Sequence, residues 1–294
     1  MSKTGIFAKS DPIFKMIFGD PENKTALVGF LSEIIDIPEE EYSHIEIIDP
    51  NLRIDKLDSK SGILDIKLTT KSGQKINIEL QVRKASDLKQ RILFYASKMV
   101  AEQLKEGEKY DKIRKVISIM ICTDHNLIED SKEYHNRYFL YDKNTNSIFS
   151  DLLEIDILEF KKVPKNDRSD LATWLRFLNT DDKEELDKMA VRNVAFKSAV
   201  CKYKKLKADE RIRMIAENEE KAWKNTQAEI KAEIEYAKEE GMQKGRAEGR
   251  AEGRAEGKHN REIEIARNAI NMGLDIKNII TLTGLSKEEI EKLR

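Results

Sequence analysis

Two short runs of alternating polarity, joined by a glycine-containing turn, constrain the fold of this chain more than any other feature. ILDIKL begins at Ile63 and KINIELQV begins at Lys75, and in each run apolar residues recur at every second position. Alternation with period two is typical of a strand that buries one face. The two runs therefore predict a β-hairpin with its loop close to Gly73.

The parity of the apolar positions determines the register of this hairpin. Ile66 and Ile78 lie on the same buried face only if the residue numbers of each directly opposite pair have an even sum. This condition requires a loop with an odd number of residues. A three-residue loop over 71–73, with its glycine in the left-handed conformation, meets this condition. A two-residue turn would put half of the apolar residues in water. The predicted register places Asp65 directly opposite Glu79.

Two opposing carboxylates within a hairpin have two interpretations. Like charges directly opposite each other destabilise a sheet, so such a pair calls for a shared proton or a cation. A divalent ion such as Mg²⁺, which prefers hard oxygen ligands, would satisfy both acids. Alternatively, the outer face of a half-exposed sheet carries both acids by chance, and spacing alone favours this second interpretation.

The segments around the hairpin alternate between helix and strand patterns. A first helix is predicted over IFKMIF, with Ser10 or Asp11 as its N-cap and Pro12 at its first position. Further helices are predicted over TALVGFLSEIIDI, over DLKQRILFYASKMVAEQL and over SDLATWLRFLN. Strands are predicted at HIEIID, RYFLYD and LEIDILEF, and RKVISIMICTD has the mostly apolar composition of a buried strand. This order predicts an α/β domain.

Composition changes near residue 180, where strand patterns end and Lys, Glu and Ala become dominant. We therefore predict three parts, namely 1–180, a charged helical extension over 181–258, and a small helical module over 259–294. Charged residues make up 36% of the chain, well above the roughly 25% of an average domain, which favours long solvated helices. The net charge of −1 excludes a global basic field, so any contact with nucleic acid must be local.

The cysteine content and the apolar runs bear on the cellular setting. The chain has two cysteines, Cys122 and Cys201, and no CxxC pair, which argues against a disulfide framework and a cysteine-based zinc site. The N-terminal residues lack the apolar core of a signal peptide, and the longest apolar run is too short to span a membrane. We expect a soluble, cytoplasmic protein without a membrane partner.

Several segments, taken in their order along the chain, resemble a known nuclease family. SDPIFKMIFGDPENK, the hairpin ILDIKLTTKSGQKINIELQV, the helix with RILFYASKM, the segment LKEGEKY and the strand KVISIMICTD follow one another over about residues 9 to 180. This arrangement resembles the PD-(D/E)XK nuclease superfamily, and more narrowly the recombination-promoting nuclease / putative transposase family of bacteria. The resemblance implies a restriction-endonuclease-like mixed sheet flanked by helices, followed by an α-helical C-terminal extension.

The resemblance also implies roles for four hairpin residues. Asp65 matches the motif aspartate and Glu79 the motif glutamate, both of which bind the metal, and the carbonyl of Leu80 offers a further metal contact. Gln81 stands where the superfamily pattern has lysine, although glutamine is common there in the narrower family. An amide can orient the attacking water, but it brings no positive charge to the scissile phosphate. The implied catalytic set is therefore Asp65, Glu79 and Gln81.

The missing positive charge and a third acid have candidates elsewhere in the sequence. Arg83, Lys84 or Arg91 would be within reach of the hairpin, while Asp11 and Glu33 would add an acid from the first two helices. The implied activity is that of a DNA endonuclease that depends on Mg²⁺, with Mn²⁺ as a substitute. Two alternatives stay open, a nuclease-fold remnant that binds nucleic acid or a protein without cutting, and a purely structural oligomer.

Two smaller features are ambiguous from sequence. Asp124 and His125 follow a predicted strand, and a surface loop is the simpler interpretation of this pair. Arg91 and Tyr95 share one face of a helix, so they either face the substrate or combine a core tyrosine with a solvated arginine. The sequence does not decide between these two possibilities.

The C-terminal third contains a four-residue repeat, GRAEGRAEGRAE, that begins at Gly245. In a helix, each residue type of this repeat forms its own row, so an isolated helix has unpaired charges and one glycine per turn. A second copy would allow close approach along the glycine row, so we expect a homo-oligomer through this extension, with a flexible linker as the rival interpretation. In the terminal module the acidic helix SKEEIEKL favours a protein-interaction or stabilising role over a DNA-reading helix-turn-helix.

Overall fold

The computed structural model describes residues 7–42, 46–47, 65–82 and 84–293. The chain divides into two compact units, Met1–Lys221 and Ala222–Arg294. The boundary between them falls inside a single long helix, α8 (Glu210–Asn271).

The first unit combines helices with one sheet. Its helices are α1 (Asp11–Phe18), α2 (Lys24–Leu31), α3 (Glu39–Tyr42), α4 (Leu88–Ala101), α5 (Asp170–Asn179), α6 (Lys183–Ala190) and α7 (Val194–Ala208), followed by the start of α8. Its strands are β1 (Glu46–Ile47), β2 (Asp65–Thr69), β3 (Lys75–Gln81), β4 (Val116–Cys122), β5 (His135–Tyr141) and β6 (Ile148–Glu159).

The sheet is mixed, with the strand order β1-β2-β3-β4-β6-β5. Strand β4 at its centre runs parallel to both β3 and β6, and the other pairs are antiparallel. All seven residues of β4 are buried, as its apolar sequence predicts. The predicted α/β fold, a mixed sheet flanked by helices with a helical extension, is confirmed.

The β2–β3 hairpin has the register that the sequence predicts. Asp65 lies directly opposite Glu79, and Ile66 directly opposite Ile78. Gly73 adopts a left-handed φ of 87°, a conformation that a residue with a Cβ rarely tolerates.

Two apolar layers cover the two faces of the sheet. The larger cluster joins alternate residues of β2, β3 and β4, including Ile66, Ile78 and Ile119, to buried side chains of α1, α2, α5, α6 and α7. The smaller cluster joins Met120 and Cys122 of β4 to Leu88 and Ile92 of α4. Helix α4 therefore covers the face opposite to the main helical layer.

Helices α6 and α7 belong to the main core, although the sequence change near residue 180 predicts a boundary before them. Phe196 of α7 stacks on Trp174 of α5 with ring centroids 4.1 Å apart. Helix α7 approaches α2 so closely that a Cβ on Gly29 would lie 2.2 Å from the Cβ of Ala195. The compact unit consequently extends to Lys221 and not only to about residue 180, because the apolar face of α7 completes the core.

The second unit contains the remainder of α8, α9 (Ile276–Thr283) and α10 (Lys287–Glu291), which share a small apolar core. Gly273 and Gly284, at helix C-termini, have φ values of 78° and 74°. Ser286 and Glu289 form a capping box at the start of α10. Among the helices of the described residues, none combines the length and the apolarity that crossing a membrane requires.

Candidate functional site

Glu79 is a buried carboxylate on the face of the sheet that α4 covers. Its side chain is only 9% exposed, and its Oε1 accepts a hydrogen bond of 2.9 Å from Nη2 of Arg91. A buried carboxylate stays ionised only when hydrogen bonds and opposite charge replace the water that it has lost. The half-exposed sheet that the simpler interpretation required is therefore not the environment of Glu79.

Arg91 lies in the first turns of α4 and reaches from the helix to the sheet. Its side chain is 31% exposed, so the guanidinium contacts both Glu79 and solvent. Tyr95, one turn further along, is half-buried, and its ring lies 5.4 Å from that of Phe94. Of the two interpretations left open for this pair, the contact with Glu79 excludes the one in which Arg91 is only a solvated edge.

Gln81 and Leu80 follow Glu79 at the end of β3, and they differ in environment. Leu80 is buried in the main core, whereas Gln81 is half-buried. In the parallel β3–β4 pair Gln81 lies opposite Cys122. Burial raises the pKa of the Cys122 thiol to about 12, and repulsion from Glu159 and Glu79 adds to the effect, so Cys122 is a neutral neighbour of the site.

Among the other predicted cations and acids, Lys84 and Glu33 interact with residues outside the hairpin. Lys84 is exposed and lies 3.8 Å from Glu129, and Arg83 lies outside the described residues. Burial, followed by repulsion from Asp170, raises the pKa of Glu33. Glu33 is therefore a neighbour of helix α5, in the main helical layer.

Asp11 is the first residue of α1, whose buried side chains also belong to the main helical layer. Asp11 itself is half-buried. A third acid from α1 stays a prediction.

His125, in the loop after β4, is buried and not part of a surface loop, so the simpler interpretation of this residue was wrong. Its exposed fraction is 7%, and neither ring nitrogen has a hydrogen-bond partner among the described residues. Burial lowers the pKa of His125. Its neighbour Asp124 is exposed and forms a 2.5 Å ion pair with Lys9.

Glu159 at the end of β6 fixes the loop that carries His125. Its Oε1 accepts hydrogen bonds from the backbone N–H of Leu127 at 2.6 Å and of Ile128 at 3.1 Å. Its Oε2 lies 2.6 Å from Nζ of Lys162. Because the carboxylate is fully buried, these bonds hold the loop at the carboxyl end of β4. Nothing in the sequence separates Glu159 from an ordinary strand residue.

The residues at this site suit a divalent cation in their chemistry. Among the side chains that the structure describes, no three histidines, cysteines or acids come together to form a metal cage; the Asp65 side chain is not among those described. Magnesium, however, usually takes one or two protein carboxylates and completes its shell with water and substrate oxygens. Glu79, already charge-balanced by a cation, and the backbone position of Asp65 opposite it fit such an open site.

Comparison with known protein families identifies both parts of the chain. The model of a family described as "PD-(D/E)XK nuclease family transposase" matches residues 8–233. A second family model, described as "Rpn/YhgA-like nuclease family, C-terminal HTH domain", matches residues 259–294. This second match is to a helix-turn-helix domain, whereas the acidic sequence of α10 had favoured a protein-interaction or stabilising role. No curated protein and no solved structure matches the chain.

Proposed function

Because the chain belongs to the PD-(D/E)XK nuclease family transposases, we propose that it hydrolyses phosphodiester bonds in DNA as a metal-dependent endonuclease of the recombination-promoting type. The observation that supports this proposal most is the buried carboxylate of Glu79, directly opposite Asp65 in the hairpin. A purely structural sheet has no need for an ionised carboxylate in this position.

Asp65 and Glu79 would hold the divalent ion through their carboxylates, with the carbonyl of Leu80 as a further ligand. Residues directly opposite in an antiparallel pair share a face of the sheet, which is the placement that two ligands of one ion require. When bound, the ion acts as a Lewis acid and lowers the pKa of a water molecule. We propose Mg²⁺ as this ion, with Mn²⁺ as a substitute.

Gln81 and Arg91 would share the work that a single lysine does in the general superfamily pattern. The amide of Gln81 donates and accepts hydrogen bonds and would orient the attacking water. The guanidinium of Arg91, 2.9 Å from Glu79, would supply positive charge to the scissile phosphate, and its planar group of donors suits phosphate oxygens.

The other parts of the chain would serve binding and assembly. The net charge of −1 provides no general attraction to phosphate, so binding to DNA requires a dedicated segment. We propose that residues 259–294, which match a helix-turn-helix domain, are this segment. The GRAE repeat of α8, within the charged extension predicted over 181–258, would join two copies. DNA as substrate also favours the cytoplasm as the place of action.

A second candidate function is a nuclease fold that binds DNA or a protein without cutting. The ion pair between Arg91 and Glu79 favours it, because the buried carboxylate is already neutralised without a metal. The absence of a lysine at Gln81 points in the same direction.

Nicking of supercoiled plasmid distinguishes the two functions. The native chain, Asp65→Ala and a control in which the exposed Asp130 becomes alanine are compared with Mg²⁺, with Mn²⁺ and with a chelator. We expect ion-dependent nicking by the native chain and by the control, and a loss of at least about 100-fold in Asp65→Ala. Nicking that survives Asp65→Ala would reject the assigned site. Inactivity of all three proteins would favour the binding function.

A further inference from the structure

The hairpin formed by β5 and β6 carries large apolar side chains in solvent. We call its distal part, residues 138–152, the arm. Six large apolar residues of the arm are exposed, Tyr138 at 40%, Leu140 at 48%, Tyr141 at 52%, Ile148 at 54%, Phe149 at 84% and Leu152 at 39%. Single exposed apolar residues are common on protein surfaces, but six of them on both faces of one short hairpin indicate an interaction surface.

The arm projects from the sheet at the end opposite to the proposed site. The pairing of β4 with β6 begins at Val116 and Leu153, so residues 148–152 of β6 extend beyond the end of β4. Val116 is at the amino end of β4, while Glu79 and Gln81 lie at the carboxyl end of the parallel strand β3. An occupant of the arm would therefore leave the chemistry unobstructed.

The outer side of the arm is unpaired. Strand β5 is the last strand of the sheet, and among the described strands it pairs only with β6. Natural edge strands are usually protected by lysine, proline or a bulge. The register of the hairpin shifts between Tyr138 and Tyr141, but β5 contains neither lysine nor proline. Tyr141 lies directly opposite Ile148, so these two residues share one face of the arm.

The charge of the arm distinguishes between classes of occupant. Only Asp142, Lys143 and Asp151 are charged within residues 138–152, in a chain in which 36% of residues are charged. With one lysine and two acids, the arm has no attraction for the phosphates of DNA. Tyrosine, phenylalanine and leucine with few charges are the composition of the central part of a protein–protein interface.

We propose that the arm packs against the same arm of a second copy of this chain around a two-fold axis. In such an isologous contact one patch is its own partner, so an apolar surface with few charges meets another. At roughly 150–250 Å² for a whole aromatic side chain, the exposed parts of the six residues offer on the order of several hundred Å². This is less than the about 800 Å² per partner of a standard interface, so the contact would also include the edge of β5.

This contact is distinct from self-association through the GRAE repeat and independent of the proposed catalysis. Full-length native protein and Phe149→Lys are compared by sedimentation equilibrium over a range of concentrations. Val191→Lys is the matched control, because Val191 is also 84% exposed but lies outside the arm. We expect Phe149→Lys to raise the dimer dissociation constant at least about tenfold and the control to leave it unchanged. An unchanged constant in Phe149→Lys, or a native chain that is monomeric at its highest soluble concentration, overturns the proposal.

Site-directed cross-linking tests the same contact without relying on the mass. In a Cys201→Ser background, which removes the exposed native thiol and leaves the buried Cys122, a Phe149→Cys variant is treated with a bismaleimide. Covalent dimers are expected at once from Phe149→Cys and not from Val191→Cys. Equal yields from the two variants, or no dimer from either, would contradict an arm-to-arm contact.

Discussion

Glu79 and Arg91 form an ion pair, and a divalent metal ion could take the place of the Arg91 guanidinium as the partner of Glu79. A carboxylate that is 9% exposed keeps its charge because the guanidinium of Arg91 lies 2.9 Å away. If a divalent ion binds to Glu79, the attraction that holds Arg91 is weakened, and the guanidinium becomes available to a phosphate. Before the metal binds, Arg91 therefore stabilises the ionised carboxylate of Glu79. The same contact keeps close to the site the positive charge that Gln81 cannot supply.

Arg91→Gln tests this exchange through stability. Without metal we expect the substitution to lower the free energy of unfolding by about 1–2 kcal/mol, because the buried Glu79 carboxylate loses the positive charge of Arg91. The partial exposure of Arg91 keeps this loss of stability small. Added Mn²⁺ should then raise the melting temperature more in the variant than in the native chain, because the ion no longer competes with arginine.

Lys89→Gln, an exposed position on the same helix, controls for general effects of charge. Equal metal-dependent shifts in the native chain and in both variants would mean that the ion and Arg91 do not compete for Glu79.

His125 predicts a dependence of stability on pH. Its pKa is lowered in the folded chain, chiefly by burial, from the value of about 6.5 that an unfolded histidine has. Between these two values the unfolded chain binds more protons than the folded one, so stability falls as the pH falls below about 6.5. His125→Leu removes this contribution and replaces an imidazole without hydrogen bonds by an apolar group.

Denaturant unfolding of the native chain, His125→Leu and the exposed control His259→Leu at about pH 7.5 and pH 5.5 measures the effect. We expect His125→Leu to lose less stability on acidification than the other two proteins. The same loss in all three would show that His125 does not titrate as its burial implies.

Among the secondary-structure elements, α8 raises the most direct question, because it carries a glycine in every turn of the repeat. The GRAE segment lies within this helix, and a Cβ on any glycine from Gly241 to Gly257 would have nothing within 4 Å in the single chain. Glycine costs about 1 kcal/mol relative to alanine in a helix, so its recurrence at every fourth position requires a reason outside the isolated helix.

Replacing Gly245, Gly249 and Gly253 by alanine separates the two interpretations of this repeat. Alanine should raise the helix content by circular dichroism, because its helix propensity is higher. If the glycine row permits close approach of a second helix, self-association should weaken at the same time. Higher helix content with unchanged association would identify a solvated helix and reject self-association through the extension.

Local sequence patterns predicted most helices and strands, but they could not predict contacts between residues that are far apart in the sequence. The parity of Ile66 and Ile78 together with Gly73 sufficed for the hairpin register, because all the determinants lie within about twenty residues. The pairing of Glu79 with Arg91 depends on how α4 lies on the sheet, which the sequence of α4 does not specify. The spacing of Phe196, Val200 and Tyr203 could have assigned α7 to the core, but the high charge of the segment obscured it.

At the level of the whole molecule, substrate binding and hydrolysis would be divided between the two ends of the chain. A chain truncated before residue 259 keeps the hairpin acids but lacks the segment that matches a helix-turn-helix. We expect it to need at least about tenfold more DNA for half-maximal nicking, with the maximal rate changed much less. A loss confined to the maximal rate would place the C-terminal module in catalysis or folding and not in DNA binding.

If Asp65 and Glu79 together hold a divalent ion, crystals soaked in Mn²⁺ should show the ion at the hairpin. Manganese is identified by its anomalous scattering independently of any assumption about activity. We expect one anomalous peak or more between the carboxylates of Asp65 and Glu79, with Arg91 displaced from Glu79. Manganese bound elsewhere, with the ion pair of Arg91 and Glu79 intact and no peak at the hairpin, would contradict it.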